Sequence, residues 1–193
     1  MAAQMVEIRW HARGGQGAKT AAMFVAQAVI AQGKYGQGFP EYGPERRGAP
    51  MRGFTRISET PIRRHCGIDK PKLVVILDPS LIESPAADVS AGTDETTVFV
   101  INTTLSPADI GKKLNVPGAK IFTVDATQIA LDSFGKPIPN MPMTGALLAA
   151  EPIMSLEDML AAMKAKFSQK FSQAVVEGNL KAVEKAYNEV VSA

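Results

Sequence analysis

The chain has 193 residues, a hydrophobic content of 46% and a formal net charge of +2, as expected for one soluble globular domain. No segment has the length and apolarity of a membrane span and the N-terminus lacks a secretory pattern, so we expect a cytoplasmic protein that does not enter the membrane. Cys66 is the only cysteine, which excludes an internal disulfide and a cysteine-ligated iron–sulfur cluster built by this chain alone. With two histidines, the inventory predicts no metal site.

Basic residues are concentrated in the first part of the chain. Through Lys72 there are twelve Lys and Arg against five Asp and Glu, and every arginine lies at or before Arg64. Arginine is suited to carboxylates, phosphates and interface ion pairs. No basic repeat or aromatic platform accompanies these residues, so we expect a contact surface and not a nucleic-acid-binding module.

A glycine-rich turn follows the first predicted strand, Val6–Trp10. The turn contains Gly14, Gly15, Gln16 and Gly17, and an apolar helix is predicted from Ala18 to Gln32. A strand, a glycine turn and a helix together expose backbone N–H groups that can hold an anion or a partner.

Two standard nucleotide motifs fail at this turn. A dinucleotide fingerprint needs a third glycine where Thr20 stands, and a phosphate loop needs glycines where Arg13 and Ala18 stand. The turn alone is therefore compatible with weak nucleotide binding or with glycines that serve chain geometry only.

A second glycine- and proline-rich region spans 33–53 and contains Arg46 and Arg47 at its centre. Its aromatic residues argue against disorder, so we expect an ordered binding or docking loop. Met51–Ile57 is predicted as a strand, paired in a hairpin with Pro61–Ile68.

Three further strands are predicted. The first is a continuous apolar run, expected to be buried on both faces of a parallel sheet, and the second is also expected to be buried. Asp78 follows the first run, and we expect it to cap a helix. Helices are predicted after Ser106 and over Thr144–Ala150, which follows a loop at Pro137–Met143. A helical part is predicted from Ser155, and its last helix opens at Phe167–Ser172 and runs to the end through the weakly helix-breaking residues 178–179. Asn140, Met141 and Met143 either line a contact or fill the core. The three strands are Leu73–Leu77, Thr97–Ile101 and Lys120–Val124.

The alternation of strands and helices predicts an α/β fold: a doubly wound, mostly parallel sheet flanked by helices, with a helical C-terminal extension. We expect one domain over 1–193, with the α/β core in 1–150 and the C-terminal helices in 151–193.

Four segments together resemble one family, the gamma subunits of 2-oxoacid:acceptor oxidoreductases of the pyruvate:ferredoxin type. Asn140-Met141 before a helix also looks like a late motif of that family, and the resemblance covers roughly residues 5–190. The segments are Arg13–Ala18 (RGGQGA), Phe39–Pro50 (FPEYGPERRGAP), Val75–Leu81 (VILDPSL) and Ile101-Asn102-Thr103.

The resemblance implies a multi-subunit enzyme that oxidatively decarboxylates a 2-oxo acid, usually to an acyl-CoA. It implies thiamine diphosphate, Mg²⁺, [4Fe-4S] clusters and coenzyme A in the complex, with none of them bound by this chain alone. The implied partners are alpha, beta and ferredoxin-like delta subunits, with ferredoxin or NAD, the latter through another subunit, as electron acceptor.

The resemblance implies no catalytic residue in this chain. A coenzyme A path or a subunit interface is expected at Gly14, Gly15, Gln16, Gly17, Arg46, Arg47 and Asn102. Two alternatives stay open: a stand-alone nucleotide-binding α/β protein, and a docking subunit without ligand contacts. The 2-oxo acid is not specified by the sequence.

Overall fold

The computed structural model of the chain describes residues 5–41 and 48–192. Seven strands of this part form one sheet in the order β2-β3-β1-β4-β5-β6-β7. Strands β1, β4, β5 and β6 are parallel, whereas β3 runs antiparallel to both β1 and β2, and β7 runs antiparallel to β6. The strands are β1 (Val6–Arg13), β2 (Tyr35–Glu41), β3 (Pro50–Ser58), β4 (Leu73–Ile76), β5 (Val98–Asn102), β6 (Lys120–Val124) and β7 (Val191–Ser192).

Helices cover both faces of this sheet, which confirms the doubly wound α/β fold. One apolar core joins Ile8, Trp10 and Val75 to helices α1, α3, α4, α5 and α6. The other core lies on the opposite face and contains Val74, Phe99 and α2. The helices are α1 (Ala18–Ala31), α2 (Pro107–Leu114), α3 (Ala126–Phe134), α4 (Asn140–Ala150), α5 (Leu156–Phe167) and α6 (Gln173–Glu189).

Local sequence signals fix several helix ends where they were predicted. Ser106 and Ser155 cap α2 and α5, since each hydroxyl accepts a hydrogen bond from the backbone N–H three residues ahead. Asp78 caps the short 3₁₀ turn Pro79–Leu81, where its carboxylate accepts a hydrogen bond from the Ser80 backbone N–H, two residues ahead. Gly33, with φ 82°, follows the end of α1.

The prediction of a loop throughout 33–53 was wrong for Tyr35–Glu41, which forms β2. The hairpin prediction for Pro61–Ile68 was also wrong, because β3 pairs with β2 and β1 and no strand follows it there. A Cβ at Gly36 would lie 2.3 Å from the carbonyl oxygen of Ala26. The glycines of β2 thus let α1 pack directly on the strand backbone and do not mark a loop.

One boundary near the C-terminus differs from the prediction. Helix α4 begins at Asn140, four residues before the predicted start, and Pro142 falls in its first turn, where a missing N–H costs no helical bond. Gly178 lies inside α6, where a Cβ would come within 2.6 Å of the Ser133 carbonyl oxygen. The last helix thus continues through this weakly breaking position as predicted, and the glycine allows α6 to approach α3.

Within 5–41 and 48–192, no helix is long and apolar enough to cross a membrane.

Candidate functional site

The glycine turn lies at the carboxyl edge of the sheet, between β1 and α1. Gly15 and Gly17 have φ values of 104° and 86°, in the left-handed region that glycine adopts without a steric penalty. The strands β4 and β5 end at the same edge because they are parallel to β1. Open α/β sheets bind their ligands at this edge.

Gln16 and Arg13 link the glycine turn to the loop after β4. The Gln16 side chain accepts a hydrogen bond from the Arg13 backbone N–H (2.8 Å) and donates one to Asp78 Oδ2 (2.8 Å). The Arg13 guanidinium donates to Ser80 Oγ (2.8 Å) and lies 3.4 Å from Asp78 Oδ2. The turn is therefore held in one conformation by four polar side chains.

Asp78 is the anionic centre of this network. Burial would raise the pKa of its carboxyl, but hydrogen bonds from Ser80 and Gln16 and the charge of Arg13 together lower that pKa below its usual value. A carboxylate engaged in this way does not act as a general base. Its role is to orient Gln16 and Arg13.

The N-terminus of α1 has the features of an anion-binding end. Its N-cap residue, Gly17, makes no side-chain capping bond, and the first turn contains no acidic residue. The positive end of the helix dipole is thus not neutralised by a carboxylate of that turn. Asn140 of α4 lies directly beside it, with Nδ2 3.5 Å from the Gly17 carbonyl oxygen.

Asn102, at the end of β5, has its side chain fully engaged within the chain. Nδ2 donates to the Leu77 carbonyl (2.8 Å) and to Thr127 Oγ1 (2.8 Å), and Oδ1 accepts from the Thr127 backbone N–H (3.1 Å). The residue is buried. Asn102 thus connects the ends of β4 and β5 to the start of α3.

The predicted residues Arg46 and Arg47 lie outside the described residues. The described chain stops at Glu41 and resumes at Gly48, both at the edge that carries the glycine turn. Gly48 is tied to the turn, because its N–H donates to the Gly14 carbonyl (3.3 Å) and its carbonyl accepts from Arg13 Nη1 (3.2 Å).

A buried polar layer on β1 and β3 was not predicted from the sequence. Arg9 Nε donates to His11 Nε2 (2.9 Å), and Arg9 Nη2 donates to the carbonyls of Val89 (3.0 Å) and Ala91 (2.7 Å). Burial, with the charge of Arg9, lowers the pKa of His11 to about 3, so the imidazole is neutral and accepts the bond. The alternation of charged and apolar residues in β1 was the available signal.

A second buried arginine ties the segment after β3 to the sheet. Arg56 forms an ion pair with Glu7 (2.8 Å) and donates to Gln37 (3.0 Å) and to the carbonyls of Cys66 (2.8 Å) and Gly67 (2.9 Å). Two of the eight arginines are thus internal structural groups, not contact residues.

Among the described residues, no group of three or more His, Cys, Asp or Glu side chains could hold a metal ion.

Comparison with known proteins connects this fold to one family. Residues 7–189 match the family model of pyruvate ferredoxin/flavodoxin oxidoreductase. A relative from Thermococcus kodakarensis, the "pyruvate/ketoisovalerate oxidoreductases common subunit gamma", is 45% identical over 97% of this chain and 98% of its own length.

Solved structures agree with this result. The crystal structure of the pyruvate oxidoreductase subunit PORC of Thermotoga maritima superposes with a TM-score of 0.86 at 39% identity, covering 98% of this chain and 99% of that one. The 2-oxoglutarate:ferredoxin oxidoreductase of Magnetococcus marinus shares the fold alone, with a TM-score of 0.75 at 21% identity over 96% of this chain and 31% of that one. The chain therefore belongs to the pyruvate ferredoxin/flavodoxin oxidoreductase family, in which its relatives are gamma subunits.

Proposed function

We propose that this chain is the gamma subunit of a multi-subunit oxidoreductase that oxidatively decarboxylates a 2-oxo acid, usually to an acyl-CoA. The observation that carries the proposal is the near full-length likeness to a subunit named as common to pyruvate and ketoisovalerate oxidoreductases. In this assembly the chain completes the active-site region and does not catalyse alone. Its partners are the alpha, beta and ferredoxin-like delta subunits, and the electron acceptor is ferredoxin, or NAD through another subunit.

The other subunits hold the redox and decarboxylation cofactors in this proposal. Thiamine diphosphate with Mg²⁺ and the [4Fe-4S] clusters supply decarboxylation and electron transfer when bound there. The residues of this chain do not fit a cluster, because four thiolates are needed and Cys66 is the only cysteine.

The glycine turn fits an anionic group such as a phosphate of coenzyme A. Gly15 and Gly17 allow close approach of a ligand to the backbone, and the start of α1 adds favourable backbone N–H groups. A carboxylate of a partner subunit shares this chemistry. Asn102 has no free amide hydrogen for a ligand, and so we assign it to positioning the edge of the sheet.

The arginines at 46 and 47 complete this anion site in our proposal. Guanidinium groups bind phosphates through paired hydrogen bonds. Arg46→Ala together with Arg47→Ala should raise the KM for coenzyme A in the assembled enzyme by at least about tenfold, with the KM for the 2-oxo acid unchanged. Arg63→Ala together with Arg64→Ala is the matched control, since both side chains are exposed and adjacent in sequence.

The outcomes of this experiment separate the possible roles. Substitution of Arg46 and Arg47 could release this subunit from the complex while the fraction of enzyme that keeps the subunit has an unchanged KM for coenzyme A. That result would identify a docking role. Tight binding of NAD, NADP or ATP by the isolated chain in calorimetry would instead support a stand-alone nucleotide-binding protein. A panel of 2-oxo acids assayed with the assembled enzyme identifies the substrate.

A further inference from the structure

A half-open cavity of about 340 Å³ lies beside the glycine turn. Its walls are mostly apolar and come from the ends of several helices. Met141 lines the cavity, and Asn140 lines it and also contacts the glycine turn. The site described above makes no use of this cavity. Phe167, Phe171 and Val175 also line it.

The cavity is positively charged. Three lysines, Lys136, Lys166 and Lys170, line it, and no aspartate or glutamate does. Within 5–41 and 48–192, neither Lys136 nor Lys170 has an ion-pair partner. The pKa of Lys166 is lowered mainly by burial and to a smaller extent by the charge of Lys170. The uncompensated positive charge of this surface favours binding of an anionic group.

The rim of the cavity exposes large apolar side chains. Phe171 is 50% exposed and Val175 is 39% exposed, although both are large hydrophobic residues. The Phe171 ring packs edge-on against Phe167, with ring centroids 5.3 Å apart, which holds it at the opening. Exposed apolar side chains grouped around a cavity are typical of a protein–protein contact.

We infer that this cavity is the docking site for a segment of a partner subunit that inserts one large apolar side chain and carries flanking Asp or Glu residues. The apolar side chain fills the space between α4, α5 and α6. The flanking carboxylates face Lys136 and Lys170. A small anion would neutralise the lysines but would leave Phe171 and Val175 in water, whereas a peptide segment covers both.

This inference rests on the proposed assembly into a multi-subunit enzyme. A photo-crosslinking residue, p-benzoyl-phenylalanine, placed at Phe171 in the assembled complex should attach to a partner-subunit peptide with an acidic residue within a few positions of the attachment point. The same residue placed at Leu105, which is 41% exposed and precedes α2, is the control. Attachment to a second copy of this chain, to a peptide without acidic residues, or to nothing would overturn the inference.

Charge reversal gives an independent test. Lys136→Glu together with Lys170→Glu should weaken association with the partner subunits by at least about tenfold at low salt, and the difference should shrink at high salt. Lys120→Glu together with Lys181→Glu introduces the same charge change at exposed positions on β6 and α6, outside the cavity lining, and should leave association unchanged. Equal melting temperatures of the free chains establish that both variants fold.

Each result of the charge reversal has one meaning. Failure of the unmodified chain to join the complex would overturn the proposed function and the docking site together. Normal association of the Lys136 and Lys170 variant would overturn the docking site alone. An unchanged association with a raised KM for coenzyme A would identify the occupant as a small anion and also overturn the docking site.

Discussion

Gly17→Ala tests how the glycine turn and α4 determine each other's position. Gly17 has φ +86°, and an added Cβ would lie 2.4 Å from Asn140 Nδ2 and 2.8 Å from Asn140 Cγ. The left-handed conformation costs an alanine about 1–2 kcal/mol, and the contact with Asn140 adds about 1–3 kcal/mol. The free energy of unfolding should therefore fall by about 2–5 kcal/mol.

Gly33→Ala isolates the conformational part of this cost. Gly33 has a nearly equal φ of +82°, follows the other end of α1, and has nothing within 4 Å of an added Cβ. Its substitution should cost only about 1–2 kcal/mol. In an Asn140→Ala background, the cost of Gly17→Ala should fall toward this value, because the amide that opposes the new methyl group has been removed.

Urea unfolding of the four variants and the unmodified chain, followed by circular dichroism, measures these free energies. We expect an interaction energy of at least about 1 kcal/mol between positions 17 and 140. Strictly additive costs, or equal costs for Gly17→Ala and Gly33→Ala, would refute the reasoning that Asn140 and the turn are in steric contact.

Substitutions at three further positions test the buried polar contacts of the chain. Asn102→Ala removes three hydrogen bonds and should lower the free energy of unfolding by about 3 kcal/mol. The control Asn179→Ala removes one hydrogen bond and should lower it by about 1 kcal/mol. A cost below about 1 kcal/mol for Asn102→Ala would contradict its positioning role. His11 has a pKa of about 3 in the folded chain against 6.5 ordinarily, so the unfolded chain binds more protons between these values and stability should decrease as pH falls, by up to about 1.4 kcal/mol per pH unit. His11→Gln should reduce this slope, and a slope equal to that of the unmodified chain would refute a buried neutral imidazole. Arg56→Met should cost about 3 kcal/mol and increase hydrogen exchange in the segment after β3, and unchanged exchange there would show that Arg56 does not hold that segment.

The buried strands could be predicted from the sequence because burial on both faces leaves a distinct pattern. The run at Leu73–Leu77 contains only apolar residues, and β4 lies within it with every side chain buried. Such runs are unlike loops and unlike amphipathic helices, so local sequence is sufficient there. Lys120–Val124 was also predicted with the bounds that β6 has, although Lys120 is exposed and this strand is not buried throughout.

The glycines of β2 illustrate where local sequence fails. Gly36 and Gly38 are typical of loops, but their function is to admit α1 within contact distance of the strand. That requirement comes from a tertiary contact, which no local pattern records. The start of α4 was predicted too late for a similar reason. Pro142 lies in the first turn of the helix, and a proline in that position has the same local sequence signal as a proline in a loop.

The candidate site was predictable as a place but not as a set of contacts. The glycine turn and Asp78 fall at one edge of the sheet because they follow parallel strands. The pairing of Gln16 with Asp78 joins residues 62 positions apart, and the bonds of Asn102 depend on strand register. The lysine-lined cavity forms where α1, α3, α4, α5 and α6 pack together, and the sequence does not encode the relative placement of these helices locally.

Cys66 is a labelling position in the segment that Arg56 holds against the sheet. The thiol is exposed, while the backbone carbonyl of the same residue accepts a hydrogen bond from the Arg56 guanidinium. Because the chain has one cysteine, a maleimide dye or a nitroxide spin label would attach at a single defined position without any substitution. Its rotational mobility would then report in real time on whether the segment after β3 stays attached to the sheet as the enzyme assembles.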